Sequence, residues 1–449
     1  MEAVVLIPGI TGSKLAQQQG GSLVEIWPPD ISDLPGYSQA KFAVLLDQPL
    51  KVTGIIDDVI GCYQVYAPIE ADLKDICTNH IGAEYDVFVY DWRQNVVTSV
   101  QSLADFLNSI GSKASITSIT LICHSQGGQI ARVMLESGVY SATPWFAKVK
   151  RALFICTPHM GAPKGLAEFV GLESVDTISA SNVEIAARAW DSAYQLLPAP
   201  NAPGNPVIID VGVPEDFYQQ SVAQVLGLDP AKLTNVTKRI FSTLDFSKKP
   251  AGVQYAFIVG TGQETVEAID IDSTQNPPTF APITDDLGDG TVPIWSAGYT
   301  GGTGVATNMP GDHVGIMNTH AFRTALYGYF AVAPAALAAL HATTPTAVLS
   351  LNKRTYRPGE RMSLLVIPDV ETGQITASMS IKRLSGPGGQ LVPHGPSQSV
   401  VYQGAPTRFI KMSLAAPMDP GGYRIDLDGQ NATHVTTDRT AARFAVVKK

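Results

Sequence analysis

Ser125, Asp289 and His313 are the residues whose types and order in the chain could support nucleophilic catalysis. Ser125 lies in the sequence Cys-His-Ser-Gln-Gly at 123–127, directly after an apolar run and before a helical pattern. A serine on a sharp strand-to-helix turn has its hydroxyl lifted clear of the sheet, usually within Gly-x-Ser-x-Gly. Cysteine replaces the first glycine here and is small enough for strand and helix to approach closely. The alternative is a buried strand-to-helix turn with an incidental serine. In either case we expect His124 to pack or to line a pocket.

A serine hydroxyl is a poor nucleophile until a base removes its proton, and the base needs a carboxylate to orient it. Asp289 and His313 follow Ser125 in the order that α/β hydrolases use for acid and base. Asp289 shares a glycine-rich loop, predicted over 285–293, with Asp285 and Asp286, which we expect to be solvated. His320 competes with His313, but it begins the closing helix, where we expect a capping or packing role.

Two main-chain N–H groups must stabilise the charge that develops on an attacked carbonyl oxygen. One is expected from Gln126, the residue after the nucleophile, and the other from Ile10 in the small turn after the first strand. Trp27, His159 and Met160 are the remaining candidates, as residues of a lid or of the substrate pocket.

Apolar runs alternate with helical patterns through the first part of the chain. Such alternation predicts an α/β fold with a mostly parallel central sheet covered by helices on both faces. It is interrupted by a long irregular stretch after Trp27 and again after Lys164, where an amphipathic helix over 184–197 is predicted. We interpret these interruptions as a lid at about 27–65 and a helical cap at about 160–250.

After about residue 342 the pattern changes to short alternating strands separated by Gly- and Pro-rich turns. About 100 residues of this kind predict an immunoglobulin-like β-sandwich. The predicted domains are therefore 1–342, an α/β-hydrolase domain with the lid and cap, and 343–449, an all-β domain.

Composition limits the classes of partner and cofactor. The chain has 449 residues and a net charge of −9, so it has no basic field with which to bind nucleic acid. None of its four cysteines forms a C-x-x-C pair, so we expect no metal cluster and no cofactor. Cys123 and Cys156 are expected to be buried thiols, and pairing of Cys62 with Cys77 is left open.

The sequence predicts no transmembrane segment, because none of its apolar runs reaches the roughly 18 residues that a membrane helix needs. The opening residues lack a basic segment and a cleavage site, so we do not interpret them as a signal peptide. A cytoplasmic location, export with the leader removed and export by a leaderless route are all compatible with this interpretation.

Eight motifs occur together in an order that resembles the lecithin:cholesterol acyltransferase family, which includes lysosomal-type phospholipases A and phospholipid:diacylglycerol acyltransferases. They are VLIPGITGSKL, EIWPP, YDWR, CHSQGG, TPHMGAPKG, SAYQLLP, GDGTVP and DHVGIMN. The resemblance covers about residues 3–331 and implies an α/β-hydrolase fold in which Ser125 attacks an ester carbonyl. It also implies that Asp289 and His313 are the acid and base, that Ile10 and Gln126 form the oxyanion hole, and that the stretch from Trp27 is a mobile lid.

The chain departs from the family pattern in two places. Cys123 stands where most members have glycine, and the disulfide-bridged membrane-binding insertion of the animal enzymes has no clear counterpart here. We therefore expect transient rather than avid contact with lipid surfaces.

Three functions are compatible with these residues. The leading hypothesis is a serine carboxylic-ester hydrolase of the lipase, phospholipase or esterase type that acts on acyl esters or lipids. An acyltransferase would share the acyl-enzyme but use an alcohol as the acceptor. A non-catalytic binding protein on a hydrolase scaffold is the alternative from another class. The acyl-chain length, the headgroup, the oligomeric state and the role of the C-terminal region are left open.

Overall fold

A computed structural model describes residues 1–33, 36–59, 63–332, 346–385, 390–429, 435–437 and 440–447. The predicted domain boundary at 342/343 lies outside these residues, and so does Cys62, so its pairing with Cys77 stays open. Among the helices within the described ranges, none is both long enough and apolar enough to cross a bilayer.

The described residues up to Ile155 contain nine strands and four α-helices. The strands are β1 (Glu2–Ile7), β2 (Ser13–Gln19), β3 (Ser22–Trp27), β4 (Lys51–Ile55), β5 (Asp58–Val59), β6 (Tyr63–Gln64), β7 (Glu84–Val87), β8 (Ser118–His124) and β9 (Val149–Ile155). The helices are α1 (Gln39–Asp47), α2 (Ala67–Asp75), which continues into a π-helical turn over Ile76–Ile81, α3 (Val96–Gly111) and α4 (Gln126–Glu136).

The middle of the chain adds six strands and eight α-helices. The strands are β10 (Ile208–Asp210), β11 (Val213–Glu215), β12 (Gln254–Thr261), β13 (Gln263–Asp272), β14 (Thr279–Gly288) and β15 (Ala306–Pro310). The helices are α5 (Lys164–Phe169), α6 (Ala180–Ala189), α7 (Asp191–Tyr194), α8 (Gln220–Val225), α9 (Pro230–Lys232), α10 (Arg239–Thr243), α11 (Ile294–Ala297) and α12 (His320–Tyr329).

A six-stranded sheet with the order β15-β12-β9-β8-β1-β7 is the centre of this part, and each neighbouring pair within it is parallel. Strand β1 shows why: its residues are apolar on both faces. Val5 belongs to one core cluster, whereas Val4 and Leu6 belong to the cluster on the opposite face. Helices cover both faces of a sheet built this way. The prediction of a mostly parallel, helix-covered sheet is confirmed.

Two predictions about the connections were wrong. The stretch after Trp27 is not irregular, because it contains α1 and β4. Ser38 caps α1 by accepting the main-chain N–H of Lys41 at 3.1 Å, and Phe42 and Leu45 are buried by contacts with distant parts of the chain. A helix of nine residues depends on such packing, so its sequence pattern is weak.

The acidic loop predicted over 285–293 is partly a strand, because β14 continues to Gly288. It pairs with β13 in a second sheet of order β11-β10-β13-β14, which the sequence did not reveal. Most of β14 is exposed, so it lacks the alternation of apolar and polar residues that marks a strand. The helix predicted over 184–197 is likewise interrupted at Trp190, whose extended backbone separates α6 from α7.

The last part of the chain is all β, as its alternating pattern predicts. Its strands are β16 (Ala347–Leu351), β17 (Thr355–Tyr356), β18 (Arg361–Pro368), β19 (Thr372–Ser385), β20 (Gln390–Pro393), β21 (Gln398–Thr407), β22 (Ile410–Ala415), β23 (Gly421–Gly429) and β24 (Ala442–Val446). A three-stranded sheet, β16-β18-β22, and a six-stranded sheet, built on β17-β24-β23-β19-β20 with β21 beside β19, bury one shared apolar core. The immunoglobulin-like connectivity itself stays a prediction.

Candidate active site

Ser125 lies on the turn between β8 and α4 in a strained conformation. Its φ of 53° and ψ of −127° belong to a region that residues with a side chain rarely adopt. A Cβ on Gly127 would lie 2.5 Å from the carbonyl oxygens of both Ile7 and Pro8, so the helix can approach β1 only because glycine stands there. A Cβ on Gly128 would likewise collide with the Thr157 side chain. The glycines therefore hold Ser125 where the first strand of the sheet ends.

The structure brings Ser125, His313 and Asp289 together in one hydrogen-bonded chain. His313 Nε2 lies 2.9 Å from Ser125 Oγ, and His313 Nδ1 lies 2.7 Å from Asp289 Oδ2. An ionised carboxylate only accepts hydrogen bonds, so Nδ1 carries the proton and Nε2 is left to accept the serine hydroxyl. The main-chain N–H of His313 also donates to the carbonyl oxygen of Asp289 at 2.8 Å.

Asp289 is fully buried at the end of β14. Burial by itself would raise the pKa of this carboxyl, but the adjacent His313 and the main-chain N–H groups of Val292 and Thr291 outweigh it and lower the pKa. Asp289 is therefore ionised at neutral pH and can stabilise an imidazolium on His313.

The two expected oxyanion donors flank the nucleophile. A Cβ built on Gly9 would lie 2.7 Å from Ser125 Cβ, which shows how closely the turn that carries Ile10 approaches the serine. Gln126 begins α4, so its N–H lies at the positive end of the helix. Among the described residues neither the Ile10 N–H nor the Gln126 N–H has a hydrogen-bond acceptor, which leaves both free for an oxyanion.

A buried tyrosine that sequence reasoning missed links three parts of the site. The main-chain N–H of Gly9 donates to the Tyr66 hydroxyl at 2.8 Å, and that hydroxyl lies 2.7 Å from His124 Nδ1. On its other side, His124 Nε2 lies 2.8 Å from the main-chain carbonyl oxygen of His313. A carbonyl can only accept, so Nε2 of His124 carries the proton and Nδ1 accepts from Tyr66.

Burial lowers the pKa of His124 to about 3, so the ring is neutral at neutral pH and keeps this single tautomer. His124 was predicted to pack or to line a pocket. The structure shows that it also connects the oxyanion turn to the loop of His313, and no local sequence signal marks Tyr66 as its partner.

A cavity of about 300 Å³ opens above Ser125. Most of the residues around it are apolar or aromatic; they include Ile10, Trp27, Ile56, Val59, Trp92, Val175, Ile178, Val183, Ala186, Trp190, Leu196 and Val314. They come from the predicted lid, from the predicted cap and from the sheet edge. Trp27, one of the three candidates for substrate contact, therefore lines the cavity.

Three residues with carboxyl groups also line this cavity: Glu168, Asp176 and Asp312. Burial raises the pKa of Glu168 and that of Asp176 to about 7 in each case, and Arg354 partly offsets the rise at Asp176. Both are therefore largely protonated in mildly acidic solution. Neither Glu168 nor Asp176 was predicted from the sequence, because the cavity forms only when lid and cap meet.

His159 and Met160 do not line the cavity, contrary to their prediction as substrate residues. His159 is buried between Phe154, Phe246 and Phe257 and lies 3.3 Å from Arg132 Nη1. Met160 packs in a separate small cluster. The loop after β9 is hydrogen-bonded to the predicted cap, because the main-chain N–H of Ala199 donates to the carbonyl oxygen of Met160 at 2.9 Å.

The alternative candidates for the acid and the base, Asp285, Asp286 and His320, do not belong to this hydrogen-bonded chain. Asp285 and Asp286 are in β14, and Asp286 pairs with Lys411 of the all-β region. His320 begins α12 and contacts Thr324 one turn later.

Cys156 lies close enough to Asp289 and His313 for the three side chains to offer metal-ligand atoms within 4.8 Å of one another. Burial, and then the charge of Asp289, raise the pKa of Cys156 well above its ordinary value, so it stays a thiol. Asp289 is already hydrogen-bonded to His313, and His313 to Ser125, so the geometry favours a triad. Cys123 is also fully buried, as predicted.

No protein-family model and no curated protein sequence matches the chain. Among solved structures, a Listeria innocua protein is similar over 73% of this chain and 92% of its own, at 11% identity and a TM-score of 0.31. A Paenibacillus cycloisomaltooligosaccharide glucanotransferase is similar over 22% of this chain and 13% of its own, at 21% identity and a TM-score of 0.17. An uncharacterised Bacillus anthracis protein is similar over 22% of this chain and 80% of its own, at 15% identity and a TM-score of 0.15. Similarity this low supports no functional argument.

Proposed function

We propose that this protein is a serine carboxylic-ester hydrolase with an α/β-hydrolase catalytic domain, acting on esters with an apolar acyl chain. The observation that carries the proposal is the hydrogen-bonded chain Ser125–His313–Asp289 at the floor of an apolar cavity. A serine, a neutral imidazole and a buried carboxylate in this arrangement are the parts that acyl transfer requires. The motifs shared with the lecithin:cholesterol acyltransferase family point to the same chemistry.

In the first half-reaction, Ser125 Oγ attacks the ester carbonyl carbon while His313 Nε2 takes the hydroxyl proton. The carbonyl oxygen becomes an oxyanion, which the N–H groups of Ile10 and Gln126 stabilise. When the tetrahedral intermediate collapses, the bond to the alcohol oxygen breaks and His313 returns the proton to that oxygen. Asp289 holds the imidazole in position and stabilises its transient positive charge.

In the second half-reaction, a water molecule takes the place of the departed alcohol. His313 removes its proton as the water oxygen attacks the acyl-enzyme carbonyl, and the same N–H groups hold the second oxyanion. Collapse breaks the bond to Ser125 Oγ, which recovers a proton from His313. The products are a carboxylic acid and the free enzyme.

The cavity favours an acyl chain over a polar group. Its lining is contributed largely by aliphatic and tryptophan side chains, and an alkyl chain that enters it gains roughly 0.8 kcal/mol for each buried CH₂ group. Fatty-acyl esters, including glycerolipids, are therefore the substrate class we propose.

The direct test is hydrolysis of p-nitrophenyl esters with acyl chains of graded length. We expect turnover by the unmodified protein, and a loss of at least about 10⁴-fold in kcat for Ser125→Ala and for His313→Gln. His320→Gln is the matched control and should keep its activity. If Ser125→Ala turns the esters over as fast as the unmodified protein, the mechanism is wrong.

The acceptor of the acyl group is a separate question, because hydrolysis and transfer share one acyl-enzyme. Product analysis with and without a long-chain alcohol distinguishes them. Mainly free acid in both cases supports hydrolysis, whereas mainly new ester would make the protein an acyltransferase. A non-catalytic binding protein would show no Ser125-dependent product in either case.

A further inference from the structure

Ser350 belongs to β16 of the C-terminal region, yet it is hydrogen-bonded to the residue next to His313. Its hydroxyl accepts the main-chain N–H of Asp312 at 2.8 Å and donates to Asp312 Oδ2 at 2.6 Å. Gln263 Nε2 donates to the same hydroxyl at 3.1 Å. A serine hydroxyl has one proton and two lone pairs, so each of its bonding positions is used. Ser350 is fully buried at this junction.

Arg354, four residues further along, holds the other carboxylate oxygen of Asp312. Its Nη2 donates to Asp312 Oδ1 at 3.0 Å. The same oxygen accepts the main-chain N–H groups of Val314 at 3.2 Å and Gly315 at 2.8 Å. Asp312 thus ties the turn that follows His313 to two side chains of the all-β region.

This arrangement fixes the position of His313 from one side. Asp312 is bonded covalently to His313, so a shift of the aspartate moves the imidazole relative to Ser125. A misplacement of about 1 Å in a catalytic group can reduce the rate by about 100-fold. Asp289 and the carbonyl contact with His124 hold His313 from the other sides, but neither fixes the segment before it.

The same part of the all-β region also forms a wall of the cavity. Asn352, Lys353, Arg354 and Thr355 line it, beside residues of the lid and the cap. The contact is close, because a Cβ on Gly290, next to Asp289, would lie 2.7 Å from the carbonyl oxygen of Asn352. Since the side chain of Arg354 is only 17% exposed, its guanidinium occupies space inside the boundary of the site.

We propose that the C-terminal all-β region is a working part of the active site. Ser350 and Arg354 are positioning residues that hold His313 through Asp312, and Arg354 also limits which acyl chains fit the cavity. The limit that Arg354 sets on acyl chains rests on the proposed ester hydrolysis. The positioning of His313 concerns its geometry and can be measured without a substrate.

Ser350→Ala in the full-length protein tests the positioning. We expect kcat to fall by about 10- to 100-fold, with the same factor for every acyl-chain length. KM should be nearly unchanged, because the substitution displaces His313 and leaves the cavity in place. Ser363→Ala is the matched control: Ser363 is a buried serine of the neighbouring strand β18, and its hydroxyl has no partner among the described residues. Equal kcat values for Ser350→Ala and Ser363→Ala would overturn the positioning role.

Arg354→Ala tests the wall. It should lower kcat and, unlike Ser350→Ala, change the ratio of kcat/KM for long against short acyl chains by about tenfold. Arg354→Lys should restore part of kcat, because lysine keeps the charge that faces Asp312. Arg424→Ala is the control, since Arg424 also pairs with a buried aspartate of the all-β region but does not line the cavity. An unchanged dependence of kcat/KM on chain length in Arg354→Ala would show that Arg354 does not limit the acyl chains that fit the cavity.

The hydrogen-bonded Nδ1 proton of His313 gives a readout that does not depend on turnover. Its low-field NMR signal, assigned by its loss in His313→Gln, should shift or broaden in Ser350→Ala and stay unchanged in Ser363→Ala. If the unmodified protein hydrolyses no ester, the proposed function is wrong, and so is the proposal that Arg354 limits the acyl chains. The NMR signal still tests whether Ser350 positions His313. Identical signals in Ser350→Ala and the unmodified protein would contradict it.

Discussion

His124 Nε2 lies 2.8 Å from the main-chain carbonyl oxygen of His313, so the residue before the proposed nucleophile is hydrogen-bonded to the proposed base. Through Tyr66, the same imidazole reaches the N–H of Gly9 in the oxyanion turn. Three segments that must keep a fixed geometry during catalysis thus share one neutral, buried histidine. This linkage, the triad, the buried acids and the glycines of the turn each lead to a prediction.

Tyr66→Phe should lower kcat for ester hydrolysis by about tenfold or more. The substitution leaves the N–H of Gly9 and His124 Nδ1 without their partner, and an unsatisfied buried polar group costs about 1–3 kcal/mol. The oxyanion turn should then become less well ordered. Steady-state kinetics, with thermal unfolding on the same samples, measures both effects.

The control for Tyr66→Phe is Tyr85→Phe. Tyr85 also bonds to a side chain, Glu70, and packs against the same core cluster as Tyr66, but it does not line the cavity. It should affect stability only. An equal loss of kcat in the two variants would show that Tyr66 has no special role.

Asp289→Asn should reduce kcat by about 10⁴-fold at neutral pH, because a neutral amide can present its NH₂ group to His313 and favour the wrong tautomer. Asp285→Asn, in the same hairpin, should remain active. Comparison of the two variants at matched protein concentration measures the effect, and comparable activities would remove Asp289 from the mechanism.

The pKa of Asp289 also predicts a pH dependence of stability. Its folded pKa lies below the ordinary value of 3.8, so the contribution of the carboxylate is present above that value and is lost as pH falls through the lower, folded pKa. The unmodified protein should therefore lose stability steeply below about pH 4. Asp289→Asn should show a shallower loss there in acid-unfolding curves; parallel curves would contradict the assignment.

Asp176 should make the folded protein less stable as the pH rises, which is the opposite of the effect of Asp289. Its pKa is raised from 3.8 to about 7, so its contribution is full below pH 3.8 and declines as pH rises toward 7. Asp176→Asn should remove that decline from the melting temperature measured against pH. It should also weaken any increase of KM above pH 7, where a carboxylate would otherwise face the acyl chain. Asp105→Asn, at an exposed position on α3, should leave both profiles unchanged.

Gly127→Ala should destabilise the protein and abolish turnover, because the added methyl would lie 2.5 Å from two main-chain carbonyl oxygens that are fixed by β1. Overpacking of this kind typically costs about 1–3 kcal/mol. Gly328→Ala is the matched helix substitution: nothing lies within 4 Å of its Cβ position, so it should stabilise α12 by about 0.5–1 kcal/mol. Urea unfolding of both variants measures the difference, and equal effects would contradict the argument.

The sequence alone determined the parts of this protein that depend on local pattern. Continuous apolar runs predicted the parallel sheet, because a strand buried on both faces needs apolar residues at every position. The small residues around Ser125 predicted a turn. The order of Ser125, Asp289 and His313 predicted three residues that the structure brings together in one hydrogen-bonded chain. Ser125 and His313 follow β8 and β15, and the carboxyl ends of parallel strands meet at one edge of a sheet. Asp289 instead follows β14 of the second sheet.

Only the tertiary structure decided which residues surround these three. Tyr66, Asp176 and Ser350 lie far from Ser125 in the chain, and each contributes through one side chain whose partners come from another segment. A single tyrosine, aspartate or serine has no periodicity, so no pattern in the sequence marks it. Their roles arise from the packing of the lid, the cap and the all-β region against the edge of the sheet, which a one-dimensional pattern does not specify.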